Sequence, residues 1–340
     1  MGQIYITVSL ALRVLFLLFV TMNSYEYRVE GQSLLKGFFR KALRPPKLSS
    51  PLVLTVAGHL AIYLATYLAY AQVFASTLNF TVIAVLIVFQ VICDHLDGEM
   101  ARATHSDSAM GEFTDHFFEL LNQCAFALIF IFLFNVEHSL VYIVSAISVG
   151  AVNTAKYYDQ YKRNLLVKAR LGFAEVKVLG ALILLLCIFP KAYAFINLPD
   201  GSSFSVIEVL VMAISFMNLI QIIRALLRIP HISYGMWLFQ GFHVIIAVLA
   251  FLTYDGLTAM LIVFGYSILY VGRLLSAQLT DGVEKSPDFF LLLFIVIQYF
   301  TSFFDSSNTR LIILIYLVVN VLLVVLKTYR VLKMHKQATQ

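Results

Sequence analysis

Between Cys93 and Glu119 the chain gathers ionisable side chains that its surroundings do not prepare for. Asp94, Asp97, Asp115 and Glu119 are carboxylates able to share a cation, and Glu112 and His116 lie among them. Apolar runs flank the stretch on both sides. Ionisable groups at membrane depth are costly and usually functional. The spacing is orderly. Asp94, Asp97 and Ala101 stand at i, i+3 and i+7; Glu112, Asp115, His116 and Glu119 stand at i, i+3, i+4 and i+7. Each set falls on one face of a helix. Gly98 and Gly111 carry no side chain and let a ligand approach the backbone. Two acidic stripes joined by a short polar turn can face one another across a helix pair. An all-oxygen donor set of that kind suits hard divalent cations.

The elements that must hold these groups are membrane helices. The chain has 340 residues, 61% hydrophobic and 13% charged, with mean hydropathy +0.87. That composition describes a polytopic membrane protein rather than a soluble domain. At roughly 20 residues per span the length accommodates about ten helices. The net charge of +5 does not call for nucleic acid, because the basic residues cluster between spans. Cys93, Cys124 and Cys187 sit in apolar runs without CxxC or CxxH spacing, as small buried hydrophobes do. The expected fold is all-α: an integral membrane bundle of about ten transmembrane helices. An extra N-terminal helix and a cytoplasmic interfacial amphipathic helix precede it.

Taken in order, residues 1–24 read as a retained membrane helix, since no A-x-A-like cleavage site follows the apolar run. Residues 25–49 are basic, with Leu34, Leu35, Phe38, Phe39 and Leu43 near helical spacing, and read as an interfacial helix ended by Pro45-Pro46. Residues 50–330 form the membrane domain, and 331–340 a basic cytoplasmic tail. Spans are expected at about 50–75, 79–103, 110–135, 138–157, 173–194, 203–225, 234–254, 256–278, 287–305 and 309–330. Alternate connections carry the Lys and Arg residues, which places the acidic stretch at the cytoplasmic end of its helices. Asn79-Phe80-Thr81 is a glycosylation sequon on the opposite side, too near the membrane for use.

The pattern D-x2-D-G-x2-A-R-x8-G-x3-D-x3-D resembles the signature of the CDP-alcohol phosphotransferases. Asp94, Asp97, Gly98, Ala101, Arg102, Gly111 and Asp115 match it, and Glu119 stands at its last Asp. Gly111-Glu112 followed by Asp115-His116 resembles the choline and ethanolamine branch. So do Tyr27, Gly31 and Ser33-Leu34-Leu35, while Gln298-Tyr299-Phe300 with Phe304-Asp305 is similar to a stretch near the family's C-terminus. Tyr161 and Gly172-Phe173-Ala174-Glu175 are similar to a mid-chain segment of the family. The resemblance spans about residues 25–330, strongest in the core motif.

The resemblance implies transfer of a phospho-alcohol, phosphocholine or phosphoethanolamine, from CDP-choline or CDP-ethanolamine to diacylglycerol, with CMP leaving. It assigns cation binding, as two Mg2+ or Mn2+ ions, to Asp94, Asp97, Asp115 and Glu119. It assigns the nucleotide and its phosphates to Gly98, Ala101, Arg102 and Gly111, with Asp94 beside them. A hydroxyl nucleophile also needs a base within reach; His116 has a suitable titration range and Glu112, one turn earlier, can orient it. Membrane lipid is the implied milieu, no nucleic acid is involved, and a homodimer is compatible. In a eukaryote the location would be the endoplasmic reticulum or Golgi, with the site facing the cytoplasm.

Structural roles compete. Carboxylates at i, i+3 are usually a solvated helix face, His116 can be a satisfied buried histidine, Arg102 a snorkelling residue, and Glu175 a helix cap. Three positions depart from the family: Glu119 for Asp, Leu52 where Asn is usual, and Glu99 where the choline/ethanolamine branch has Lys. They leave open a different CDP-alcohol or lipid acceptor, or a catalytically silent membrane scaffold. A transporter fits the hydropathy but not the motif.

Overall fold

A computed structural model describes residues 28–30, 35, 51–74, 76–104, 108–136, 138–167, 172–197, 204–301 and 306–339. The described chain runs β1 (Arg28–Glu30), α1 (Pro51–Ala71), α2 (Ser76–Ala103), α3 (Ala109–Phe134), α4 (Ser139–Arg163) and β2 (Leu165–Val167). It continues through α5 (Phe173–Leu186), α6 (Pro190–Asn197), α7 (Val206–Leu227), α8 (Tyr234–Thr253), α9 (Gly256–Leu279), α10 (Phe289–Thr301) and α11 (Ser306–Thr339). Eight of these helices are long and apolar enough to cross a membrane: α1 to α4, α7 to α9 and α11. The chain is an all-α polytopic membrane bundle, as its composition requires. The expected helix over residues 1–24 lies outside the described residues, as does most of the expected interfacial helix over 25–49.

Three boundaries differ from the sequence reading. Residues 28–30 are extended and pair in parallel with 165–167, Val29 opposite Leu166. Asn164 ends α4 in the left-handed region, φ 51°, and turns the chain into the short strand. The span expected over 173–194 is broken: α5 stops at Leu186 and α6 starts at Pro190. Proline has no N–H for the helical ladder and clashes with the preceding turn, so a continuous helix is not available there. At the far end α11 runs on to Thr339 with no break at residue 331.

Helix α9 is the axis of the bundle. Ala259, Met260, Ile262, Val263, Tyr266 and Val271 are fully buried, and its two sides feed two separate cores. Phe239 of α8 stacks on Tyr270 with ring centroids 4.2 Å apart. By contrast, α7 and α11 leave rows of large apolar side chains exposed, Leu227 at 81% among them. In a membrane those rows face lipid, since the helical ladder already satisfies the backbone. Side-chain caps define several starts. Ser108, Ser205, Ser233 and Asp255 each accept a hydrogen bond from a backbone N–H in the first turn of α3, α7, α8 and α9, worth about 1 kcal/mol apiece.

Close approach of backbones sets the helices around the acidic stretch. A Cβ at Gly58 of α1 would lie 2.9 Å from Cys93 Cβ of α2, and one at Gly150 of α4 would lie 2.8 Å from the His243 ring of α8. α1 can therefore press against the turn of α2 that carries Asp94, and α4 against α8. A third core binds α2 to α1, α3 and α5 through Ile83, Ile87, Phe126 and Phe130. α3 and α4, adjacent in sequence, pack mainly on other helices, and the space between them is the site.

Candidate active site

The C-terminal half of α2 and the N-terminal half of α3 bring the two acidic stripes to one end of the bundle. The C-terminal ends of α4 and α7, together with β2 and the start of α5, close around them. Between these elements lies a cavity of about 890 Å3. Asp94, Asp97, Gly98, Glu99, Asp115, His116 and Glu119 line it. Its deeper wall is apolar, with Phe126, Phe130, Ile183, Ile207, Leu210 and Ile214. One chamber therefore offers a charged end and a hydrocarbon-like end.

The four predicted carboxylates differ in their partners. Asp97 is 8% exposed and accepts a hydrogen bond from Thr55 Oγ1 of α1 at 2.7 Å. Among the described residues Asp94 and Asp115 make no side-chain hydrogen bond or ion pair; both open onto the cavity. Glu119 is fully engaged. Its Oε1 and Oε2 lie 2.9 and 2.8 Å from Lys156 Nζ, and Oε2 also accepts from Tyr157 Oη at 2.7 Å. Lys156 and Tyr157 both come from α4.

His116 is 4% exposed. Its Nε2 lies 2.6 Å from Glu112 Oε1, one turn earlier on α3, and its Nδ1 lies 3.8 Å from Glu119 Oε2. His116 lines the cavity; Glu112 does not. The carboxylate thus stands behind the imidazole and fixes it from the far side. Of the remaining predicted positions, Gly98 lies on the cavity wall, while Ala101 and Gly111 are not part of it. The Gly111 N–H donates to the Ser108 cap at 3.1 Å, so this glycine serves the start of α3. The Arg102 side chain lies outside the described residues.

Whether these groups suit a divalent cation turns on their chemistry and placement. The donors are all oxygen, two of the carboxylates have no side-chain partner among the described residues, and all face one chamber, which suits a hard ion. Among the described residues, no three such side chains converge on one point as they stand, so closing on an ion requires the carboxylates to rotate inward. Glu119 is the poor fit, because its oxygens are already held by an ammonium.

Lys177 and Asp159 also line the cavity and were not singled out from the sequence. Lys177, 3% exposed, donates to Gln90 Oε1 at 2.6 Å and covers the Phe173 ring at 4.3 Å. Asp159 is clamped by Arg228, with Nε at 3.1 Å and a terminal guanidinium nitrogen at 2.9 Å. Arg224 lines the same mouth. Glu99, one of the departures from the family, lines the cavity and adds a further carboxylate. Glu175 accepts from the backbone N–H of Gly172 at 2.8 Å and from that of Leu35 at 3.1 Å, so it caps α5 and ties down residue 35. A lysine within the first turns of an otherwise apolar helix was the available signal for Lys177.

The profile of the CDP-alcohol phosphatidyltransferase family matches residues 48–220. That is half of the chain, and it contains every predicted site residue, so this protein belongs to the CDP-alcohol phosphatidyltransferase family. No curated protein matches it. Membership, with eight membrane-length apolar helices, makes it an integral membrane transferase. The family's reaction moves a phospho-alcohol from a CDP-alcohol to a lipid acceptor.

Proposed function

We propose that this protein transfers phosphocholine or phosphoethanolamine from the CDP-alcohol to diacylglycerol and releases CMP. The observation that carries the reading is the chamber itself: a charged end for a water-soluble diphosphate and an apolar end for a diacyl lipid, with His116 at the junction. The G-E-x2-D-H segment, Gly111 to His116, is what favours the choline and ethanolamine branch. The basic residues at the ends of α4 and α7 favour a cytoplasmic site, and an endoplasmic reticulum or Golgi membrane if the cell is eukaryotic.

The acceptor hydroxyl forms a bond to the phosphorus that bears the alcohol, and the phosphorus–oxygen bond to CMP breaks. The hydroxyl proton passes to His116. Glu112, 2.6 Å from Nε2, favours the tautomer protonated on that nitrogen, which leaves the lone pair on Nδ1 as acceptor. Asp94, Asp97 and Asp115 would hold Mg2+ or Mn2+, which when bound neutralises charge on the phosphoryl oxygens and orients the diphosphate. The apolar wall of α5 and α7 keeps water from competing for the phosphorus.

The test is direct. Detergent-purified protein with diacylglycerol, Mg2+ or Mn2+ and a panel of CDP-alcohols should release CMP, fastest with CDP-choline or CDP-ethanolamine. Faster release with another CDP-alcohol would move the assignment to a different head group. Silence with every donor would leave a scaffold that has kept the fold.

A further inference from the structure

The departure at the fourth carboxylate and the lysine facing it form one unit. We infer that Lys156 replaces a metal ion: this chain holds a single divalent cation, and the Lys156 ammonium supplies the second positive charge of the site. The inference rests on the cation-dependent phosphotransferase reading above and specifies its charge arrangement.

Glu119 gives both oxygens to Lys156, at 2.9 and 2.8 Å, and one of them also to Tyr157 at 2.7 Å. An inner-sphere Mg2+ on either oxygen would sit about 2.1 Å away. That distance puts it against the ammonium, where like charges repel in a poorly solvated chamber. The lysine is anchored a second time, 4.8 Å over the Tyr157 ring. The Tyr157 hydroxyl, whose one proton goes to the charged Glu119 oxygen, also lies 3.1 Å from the His116 carbonyl. The glutamate's length fits this arrangement. An aspartate would be shorter by one carbon–carbon bond, about 1.5 Å, and could not hold both contacts to α4 at these distances.

Lys156 is half-buried and lines the cavity with Asp115, so its charge reaches the space that a diphosphate would fill. Lysine serves as a point charge toward phosphate. Unlike an ion it is covalently tethered, so a chelator removes only the cation on Asp94, Asp97 and Asp115.

Mn2+ binding to the detergent-purified full chain, without substrate, tests this. Free Mn2+ is followed by its electron paramagnetic resonance signal during titration. The wild type should bind one ion per chain, Lys156→Met two, and Lys156→Arg one. Glu119→Gln should also bind one, because the first ion does not use that residue. A second ion in the wild type or in Lys156→Arg overturns the inference and leaves the functional reading standing. A single ion in folded Lys156→Met, or no ion in Glu119→Gln, likewise overturns it. Should Lys156→Met fail to elute as a monodisperse species, the wild type, Lys156→Arg and Glu119→Gln still decide. No ion in the wild type would remove both the inference and the cation from the functional reading.

Discussion

Thr55 Oγ1 of α1 lies 2.7 Å from Asp97 Oδ2 of α2. The same hydroxyl is 3.1 Å from the Pro51 carbonyl, and it has one proton to give. The charged acceptor is the stronger one, so the proton belongs to Asp97 and fixes one carboxylate of the acidic stripe against a neighbouring helix. Thr55→Val keeps the shape and removes the donor. A buried carboxylate left short of a partner costs about 1–3 kcal/mol. CMP release should therefore fall on the order of tenfold, and Mn2+ affinity should change with it, since ~1.4 kcal/mol is a factor of ten. Thr55→Ser should retain both. A valine variant with wild-type release and wild-type Mn2+ affinity would show that the bond does not position Asp97.

The three aspartates should act together. Asp94→Asn, Asp97→Asn and Asp115→Asn should each abolish CMP release, because losing one anionic ligand leaves the diphosphate less neutralised in the transition state. EDTA should do the same to the wild type, and added Mg2+ or Mn2+ should restore it. Activity that persists in EDTA would sink the cation assignment.

What the sequence made legible, and what it hid, follows from geometry. The stripes on α2 and α3 were readable because a helix repeats every 3.6 residues. Asp94 with Asp97, and Glu112 with Asp115, His116 and Glu119, do meet in one chamber, apart from Glu112, which stands behind the imidazole. Lys156 and Thr55 were hidden because they arrive from α4 and α1; no local period ties residue 156 to 119, or 55 to 97. Pro190 was visible in the sequence, yet the hydropathy of 173–194 hid the break it makes. The pairing of residues 28–30 with 165–167 is a contact across the chain that no amphipathic pattern announces.

Asp255 offers a test of the bundle's axis that leaves the site alone. It caps α9, accepting from the Thr258 backbone at 2.9 Å and from its hydroxyl at 2.6 Å. Burial pushes the carboxyl up, but those hydrogen bonds and Arg310 outweigh it and hold it below its usual value. A lowered folded-state value means the stabilisation is present above the unfolded value of 3.8 and fades as pH falls through the folded one. Asp255→Ala should cost about 1 kcal/mol, read as a lower Tm in detergent at neutral pH. The gap from wild type should narrow in acid; a gap independent of pH would assign the loss to packing rather than to the charged cap.

Orientation is checked by labelling. Ser106 falls between α2 and α3 in the sequence, outside the described residues, and the distribution of Lys and Arg predicts the cytoplasmic side for it. A cysteine introduced there should react with an impermeant maleimide only from the cytoplasmic face. Asn79 should carry no glycan: it is 3% exposed in the first turn of α2, and its side-chain amide donates to the Leu68 carbonyl at 3.3 Å. Labelling of Ser106→Cys from the other side would invert the protein and cut the donor off from the cytoplasm.

The base is the sharpest test of mechanism. His116 lines the cavity and Glu112 reaches His116 from behind the imidazole, so the two should fail differently. His116→Ala should lose turnover by ~10²–10⁴-fold, the range for removing a general base, while still binding Mn2+ and CDP-alcohol, because the aspartates remain. Glu112→Gln should lose less. It removes the charge that favours one tautomer but leaves the imidazole in place, so kcat should drop with little change in KM. Wild-type turnover should decline in acid, since imidazolium has no lone pair to accept the hydroxyl proton, and His116→Ala should lose that decline. If His116→Ala keeps near-normal turnover, the proton goes elsewhere. Glu119 is then the next group to test, by whether Lys156→Met, which frees its carboxylate, raises the rate.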